Sequence, residues 1–310
     1  EESCFEKFTE CSIESTDREK IRNILVESGQ WVALRTRPYS KVPDIRSNPN
    51  SIFVTASDSN PLSANPDVVI EQQPEYFSFG MRVLCKLCDG NIHLCTDASS
   101  DILINDMQQV KHTRFAGKHP VGLAGTHIHF LDPVSSSKTV WVINYQDVIA
   151  FGYLFLTGNI YSRRIISIAG PQVKAPRLVE TILGADLDEL VRNELFEGES
   201  RVISGSVLSG RESSGNFSYL GRYHNQISVI EEGRDRQILH FLRLGNNKHS
   251  ALPIFMSNFA KKLFNMTTST NGSERAMVPV GGYEDVTVLD ILPAPLLKSL
   301  IVKDTEMAQN

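Results

Sequence analysis

Three groups of residues have the types and spacing for chemistry. In the first, Trp31-Val-Ala-Leu-Arg35-Thr-Arg37-Pro-Tyr39-Ser-Lys41, three cations and two aromatic rings fall within eleven residues. Guanidinium forks can donate hydrogen bonds to a carboxylate, a phosphate or a quinone carbonyl, and Trp and Tyr offer flat faces to a ring. An interface loop with aromatic anchors explains the same pattern. In the second, Asp58 and Asn60 follow the β-rich run Ser51 to Ala56, and open α/β sheets bind ligands outside the carboxyl ends of their strands. Asx-turn residues beside Pro61 are the structural alternative. In the third, His119, His127 and His129 lie within eleven residues. On a strand His127 and His129 would share a face and could chelate; on a helix they point roughly 200° apart. The apolar neighbours and Gly122/Gly125 favour a helix, and so hydrogen-bonded structural histidines over a metal. Gly122-Leu-Ala-Gly125 either presents N–H groups to an anion at a helix start or permits close packing.

The five cysteines are Cys4, Cys11, Cys85, Cys88 and Cys95. An odd number in a large chain argues against a disulfide framework and for a reducing compartment. Cys85-Lys-Leu-Cys88 has CxxC spacing, but a zinc site normally needs four ligands and a redox pair normally opens a helix. Here the pair ends the apolar run Met81 to Leu87, and the expectation is buried, inert thiols. Neither GxGxxG, GxxxxGK[ST] nor GxSxG occurs, so the standard dinucleotide, P-loop and α/β-hydrolase signatures are absent.

The elements that must position these groups can be read from pattern. Thr16-Asp-Arg-Glu19 is a capping box before Ile21, Ile24 and Leu25, which predicts a helix over 17–28 ending at Gly29. The Pro-punctuated stretch from Trp31 to Pro43 reads as loop or short helical turns. Ser51–Ala56 predicts a buried strand, 75–88 a helix, Asn91–Cys95 and Gln109–Phe115 strands, and 121–130 a helix. Alternation at this spacing implies βαβ units in an α/β domain that ends near Gly158. Beyond Arg163-Arg164, strands at Ile165–Ala169, Arg177–Leu183, 201–204 and 226–231 surround a helix over Asp186–Leu195, a small α+β module. A further helix is expected over 290–302.

The 310 residues carry 31 Lys+Arg against 36 Asp+Glu, a formal charge of −5, with 41% hydrophobic content. That is globular composition for two or three domains, and it argues against nucleic acid as a partner. The longest nearly apolar stretch, Val148 to Leu156, would rise about 14 Å as a helix, half a hydrocarbon core of ~30 Å. The opening Glu1-Glu2-Ser3 has neither a basic n-region nor an apolar h-region, and the absence of an initiator Met points to a fragment of a longer product.

Six blocks, in order, resemble the NqrA family, a peripheral component of the Na⁺-translocating NADH:quinone reductases: Glu27 to Pro43, Ile52 to Leu62, His119 to Pro133, Asn144 to Ile149, Arg201 to Gly210 and Leu220 to Gln226. The resemblance implies a Rossmann-like α/β domain over 1–160, a β-grasp (SLBB-type) domain over 161–244 and a partly helical region over 245–310. It also implies a peripheral subunit on the cytoplasmic face of a bacterial inner membrane, in a complex that oxidises NADH, reduces ubiquinone and exports Na⁺. The other subunits, mainly the membrane ones, are the expected partners, and they hold the flavins and the iron–sulfur cluster.

The family is distantly similar to the flavin-binding polypeptide of respiratory complex I and to the RnfC polypeptide of the Rnf complex. There the segment matching 28–41 is a glycine-rich loop lying against FMN. Here Trp31 to Arg37 fills those places with side chains, so no flavin is expected on this chain. No cysteine follows Cys95 to ligate the iron–sulfur centre of those relatives. Two readings remain open. In one, the refilled cleft meets ubiquinone, with Trp31 or Phe53 stacking on the ring, Arg35 or Arg37 bonding a carbonyl, and Asp58 and Asn60 nearby. In the other, the cleft is vestigial and the chain is a docking scaffold.

Overall fold

The computed structural model describes residues 8, 13, 16–102, 107–234, 244–246, 248–249, 255–259, 263–270, 272, 276–278 and 280–309. Cys4 and Cys11 lie outside them. Two compact units are present: Glu1–Ile165 with Glu180–Leu183 and Met277–Asn310, and Ile166–Val179 with Gly184–Ala276.

The first unit begins with α1 (Arg18–Glu27), which buries Ile21, Ile24 and Leu25. Its cap is Asp17, not Thr16: the Asp17 carboxylate accepts from Lys20 N at 2.8 Å. β1 (Arg35–Arg37), β2 (Ile52–Ala56), α2 (Pro66–Glu71), α3 (Pro74–Leu87), β3 (Ile92–Asp97), β4 (Val110–Phe115), α4 (Ala124–Leu131), β5 (Val140–Asn144) and α5 (Tyr145–Thr157) follow. They build a sheet of order β1-β5-β2-β3-β4. β2 runs parallel to both β3 and β5, and β3 parallel to β4. From β2 the chain steps outward to β3 and β4, then returns through α4 to β5. The direction of winding therefore reverses between β2 and β5, the topological switch point at which such sheets bind ligands.

Period-two alternation assigns the two faces of this sheet. Ile52, Val54 and Ala56 share a core with Leu25 of α1, Leu84 of α3 and Phe151 of α5. Phe53 points the other way, among Cys95, Val140, Val142 and Ile128 of α4. The stretch Val148 to Leu156 is the middle of α5, buried nearly all round. One correction concerns 31–43. Instead of remaining loop throughout, Arg35-Thr-Arg37 pairs antiparallel with β5, because hydrogen bonding to a neighbouring strand outweighs a sequence with little strand pattern.

A second sheet, of order β7-β6-β10-β8-β9, is formed by β6 (Arg163–Ala169), β7 (Arg177–Ile182), β8 (Ser200–Ser204), β9 (Arg211–Glu212) and β10 (Gln226–Glu231); most of it lies in the second unit, while the first three residues of β6 and the last three of β7 are assigned to the first. β10 is parallel to β6 and antiparallel to β8. Ile166, Ile168, Leu187, Leu220, Ile227 and Val229 form its core. The helix expected over Asp186–Leu195 is shortened to α6 (Leu187–Leu190), capped by Asp186. Tertiary bonds take the remainder: Lys174 N donates to Glu194 O at 2.8 Å, Leu195 bridges Val173, and Asn193 turns to a φ of 64°. Near the C-terminus, α7 (Pro293–Val302) starts on a proline, whose missing N–H is no loss in a first turn. The architecture is a Rossmann-like α/β domain, a β-grasp (SLBB-type) α+β domain and a partly helical C-terminal region. Among the described residues, no helix is long and apolar enough to cross a membrane.

Candidate functional site

The six residues expected around a ligand do not converge. Trp31 sits in a short 3-10 turn and is 4% exposed. Its indole N–H donates to Pro43 O at 2.9 Å and its ring meets Trp141 edge-on at 5.4 Å. Phe53 is fully buried on the opposite face of the sheet, stacked on His93 at 4.6 Å. Both rings are packed among core neighbours, because both faces of this sheet are covered.

Arg35 and Arg37 lie on β1 opposite Val142 and Val140, and so on the Phe53 side of the sheet. The Arg35 guanidinium donates to the Ser40 carbonyl and to Ser40 Oγ. Arg37 reaches Thr36 O at 3.4 Å. Burial, with the charge of Arg35 added, lowers the Arg37 pKa, though a guanidinium stays ionised. The turn beyond is closed by Thr36 N to Lys41 O at 2.7 Å. It holds Tyr39 at a φ of 74° with 81% of its surface exposed.

A different group forms at the carboxyl ends of β2, β3 and β4. Asp58 Oδ1 accepts from Asn60 N at 3.0 Å and Asn60 Nδ2 at 2.7 Å, an Asx turn. Burial raises the Asp58 pKa against those two bonds, and the Asp97 charge adds to the rise. The carboxyl is thereby held closer to its neutral form. Asn60 Oδ1 is buried and has no hydrogen-bond partner among the described residues. Ser59 Oγ accepts from Gly122 N at 2.9 Å and lies 3.1 Å from His119 Nδ1. His119 Nδ1 is also 3.2 Å from the Ser59 carbonyl, which can only accept, so a protonated Nδ1 donates to it and an unprotonated Nδ1 accepts from Ser59 Oγ instead. Ser57 Oγ donates to Asp97 Oδ1.

Gly122 is needed for this joint, because a Cβ there would collide with the Ser59 backbone. Of the two uses of Gly122-x-x-Gly125, close packing is the one seen at Gly122. Sequence reasoning placed Asp58 and Asn60 but missed Ser59, Asp97 and the partner of His119. Their common signal is position, since each follows or ends a strand at the carboxyl edge.

The remaining candidates occupy separate places. His127 is fully buried on α4, its ring 4.3 Å from Phe115, and His129 Nε2 accepts from Asp290 N at 3.2 Å. The helix sends them apart, and among the described residues no group of three or more His, Cys, Asp or Glu could hold a metal. Cys85 is on α3, Cys88 caps it and Cys95 is inside β3. Burial pushes Cys85 up to about 11 and Cys95 up to about 12, away from the reactive thiolate.

Residues 16–160 match the model of the NqrA second alpha/beta domain, and residues 165–215 that of the NQRA C-terminal domain. The chain is 55% identical over 310 residues to the NqrA polypeptide of the Na(+)-translocating NADH-quinone reductase of Marinomonas sp. (strain MWYL1), covering all of this chain and 69% of that one. The corresponding polypeptide from Pasteurella multocida (strain Pm70) is 52% identical over 309 residues, with the same coverage. Among solved structures, a NAD+-reducing [NiFe]-hydrogenase in the H2-reduced state superposes with a TM-score of 0.47 at 15% identity, over 71% of this chain and 50% of that chain. Two matched domains in the right order and half-identity along the full chain lead to one conclusion: the chain belongs to the NqrA family of the Na⁺-translocating NADH-quinone reductases.

Proposed function

We propose that this chain serves as the NqrA component of a Na⁺-translocating NADH:ubiquinone reductase, supporting electron transfer from NADH to ubiquinone coupled to Na⁺ export. In this reading it is a peripheral polypeptide on the cytoplasmic face of the bacterial inner membrane, held by the other subunits, chiefly the membrane ones. It carries no flavin of its own; the flavins and the iron–sulfur cluster belong to its partners. Support for a refilled cleft comes from Trp31, whose buried ring, set against Trp141, occupies the turn.

Within this reading, the group that fits a quinone head is the carboxyl-edge cluster, which keeps Asp58 and Asn60 of the six residues named at the outset and adds Ser59, His119 and Asp97. The observation that carries it is the orphaned Asn60 Oδ1 beside the Asp58 carboxyl, in the loop after β2 at the switch point. A quinol hydroxyl can donate to that oxygen. His119 can donate to a quinone carbonyl, and Asp58, held towards its neutral form, can hand on one of the protons that quinone reduction consumes. The electrons must arrive from a redox group on another polypeptide of the complex.

The test is a titration of a short-chain ubiquinone into full-length NqrA, read by quenching of Trp31 and Trp141. Saturable quenching weakened about tenfold by Asn60→Ala, the loss of one good hydrogen bond to a buried group, is the expected result. Linear quenching that Asn60→Ala and Asp58→Asn leave unchanged would remove quinone from this chain and leave it a scaffold.

A further inference from the structure

Three arginines of the β-grasp unit are held by carboxylates. Arg177 makes a two-point pair with Glu194, Arg201 with Glu232, and Arg234 with Glu199. Arg211, on the two-residue edge strand β9, has no carboxylate within ion-pair distance among the described residues. Its guanidinium instead lies 4.1 Å from the Tyr219 ring centroid and 5.2 Å from that of Phe217. Nη2 donates to Tyr219 O at 2.8 Å.

The platform under this stack is stiff. Ser213 N donates to Val202 O, Leu187 N to Ser218 O, and Leu220 N to Ala185 O, so the segments before and after the rings are tied to β8 and to the start of α6. Ser204 Oγ accepts from Gly221 N and lies 2.8 Å from His224 Nδ1, which locks the base of the same hairpin. Yet Phe217 is 55% exposed and Tyr219 42% exposed, with Leu208 at the hairpin tip 58% exposed. A flat cation is thus ordered in advance against two rings, on the hairpin that carries Leu208, with no carboxylate paired to it among the described residues.

Arg and Tyr are among the residue types that dominate binding energy at protein interfaces, and here a half-buried Arg211 and an exposed Tyr219 are set on a rigid frame. Holding the fork in place beforehand removes the entropic penalty of ordering it on contact. We propose that Arg211, Phe217 and Tyr219 form a docking surface for another polypeptide of the same complex, one that presents an apolar segment carrying a carboxylate to the Arg211 fork. Charge complementarity selects that occupant: among the described residues no carboxylate pairs with the guanidinium, and bidentate Arg–carboxylate pairing matches its geometry. An anionic lipid surface fits less well, because the whole chain carries −5 and would be repelled. This inference rests on the chain acting as NqrA within the complex.

The test uses the complete complex, isolated through a tag on a membrane-embedded component from cells that express full-length NqrA. Arg211→Glu is expected to weaken retention of NqrA by at least about tenfold, with Arg211→Lys intermediate because it keeps charge but loses the fork. A photocrosslinking phenylalanine analogue placed at Phe217, which leaves Arg211 intact, is expected to join NqrA to another polypeptide of the complex. Retention of Arg211→Glu within twofold of wild type, or a crosslink only to lipid, overturns the surface while the reading as NqrA stands. Failure of unsubstituted NqrA to copurify overturns that reading, and this inference with it.

Discussion

His127 shows how burial converts one side chain into a pH response. It is fully enclosed on α4 against Phe115, and burial lowers its pKa to about 4, opposed only in part by the Val121 backbone and the charge of Asp97. In the unfolded chain a histidine titrates near 6.5. Above that pH the ring is neutral in both states and the full stability is present. As pH falls from about 6.5 towards 4 the unfolded chain takes the proton first, so stability drains by about 3 kcal/mol across that window. Burial shifts His93 and His224 in the same direction, so the wild-type slope has several contributors. Comparison with His127→Leu isolates one. Urea unfolding at pH 7 and pH 4.5 should show the variant losing about 2 kcal/mol less than wild type, and equal losses would mean that His127 is protonated without hindrance.

Helices α3 and α5 approach so closely that two glycines are required. A Cβ at Gly152 would strike the Tyr76 carbonyl, and one at Gly80 the Val148 carbonyl. Alanine is the better helix former by about 1 kcal/mol, so propensity alone would make Gly152→Ala stabilising. Packing reverses the sign, because backbone on backbone has no rotamer to yield and overpacking costs about 1–3 kcal/mol or more. The expectation is a lower urea midpoint for Gly152→Ala and for Gly80→Ala. An unchanged or raised midpoint would show that the pair can separate without loss. The same element scale explains the Ser59–His119 joint, where the segment leading into α4 meets the loop after β2 only because Gly122 lacks a side chain.

Across the whole molecule the units carry separate cores, so a single unfolding midpoint is not a defined quantity for this chain. Both tryptophans lie in the core of the first unit, and their fluorescence reports that unit alone. At its end, Asp147 on α5 pairs with Arg164, with side chains 4% and 2% exposed. Next to them, Gln146 holds both backbone groups of Ile165, at 2.7 and 2.9 Å. Removing one partner strands a buried charge, which costs about 3–5 kcal/mol. Asp147→Ala should therefore lower the midpoint of the tryptophan-reported transition, and Asp147→Leu with Arg164→Met should recover much of it. A transition unmoved by Asp147→Ala would show that Arg164 finds water or another acceptor.

Much of the scaffold was legible in the residues because helices and strands of this kind answer to near neighbours. One-face spacing marked α1, the β-rich run at Ser51–Ala56 marked β2, the pattern along the chain also placed α3, β3 and β4, and setting 121–130 on a helix separated His127 from His129. Strand order along the chain also placed Asp58 and Asn60 at a carboxyl edge. Tertiary structure alone decided what those residues touch. Whether Trp31 and Phe53 face a ligand or a core depends on what covers each face of the sheet. Ser59 and His119 are separated by sixty positions in sequence, and no local pattern records their joint. The edge strand at Arg35 and the shortened helix after Asp186 follow the same rule, since bonds to residues distant in sequence outweigh a local preference of a fraction of a kcal/mol per residue.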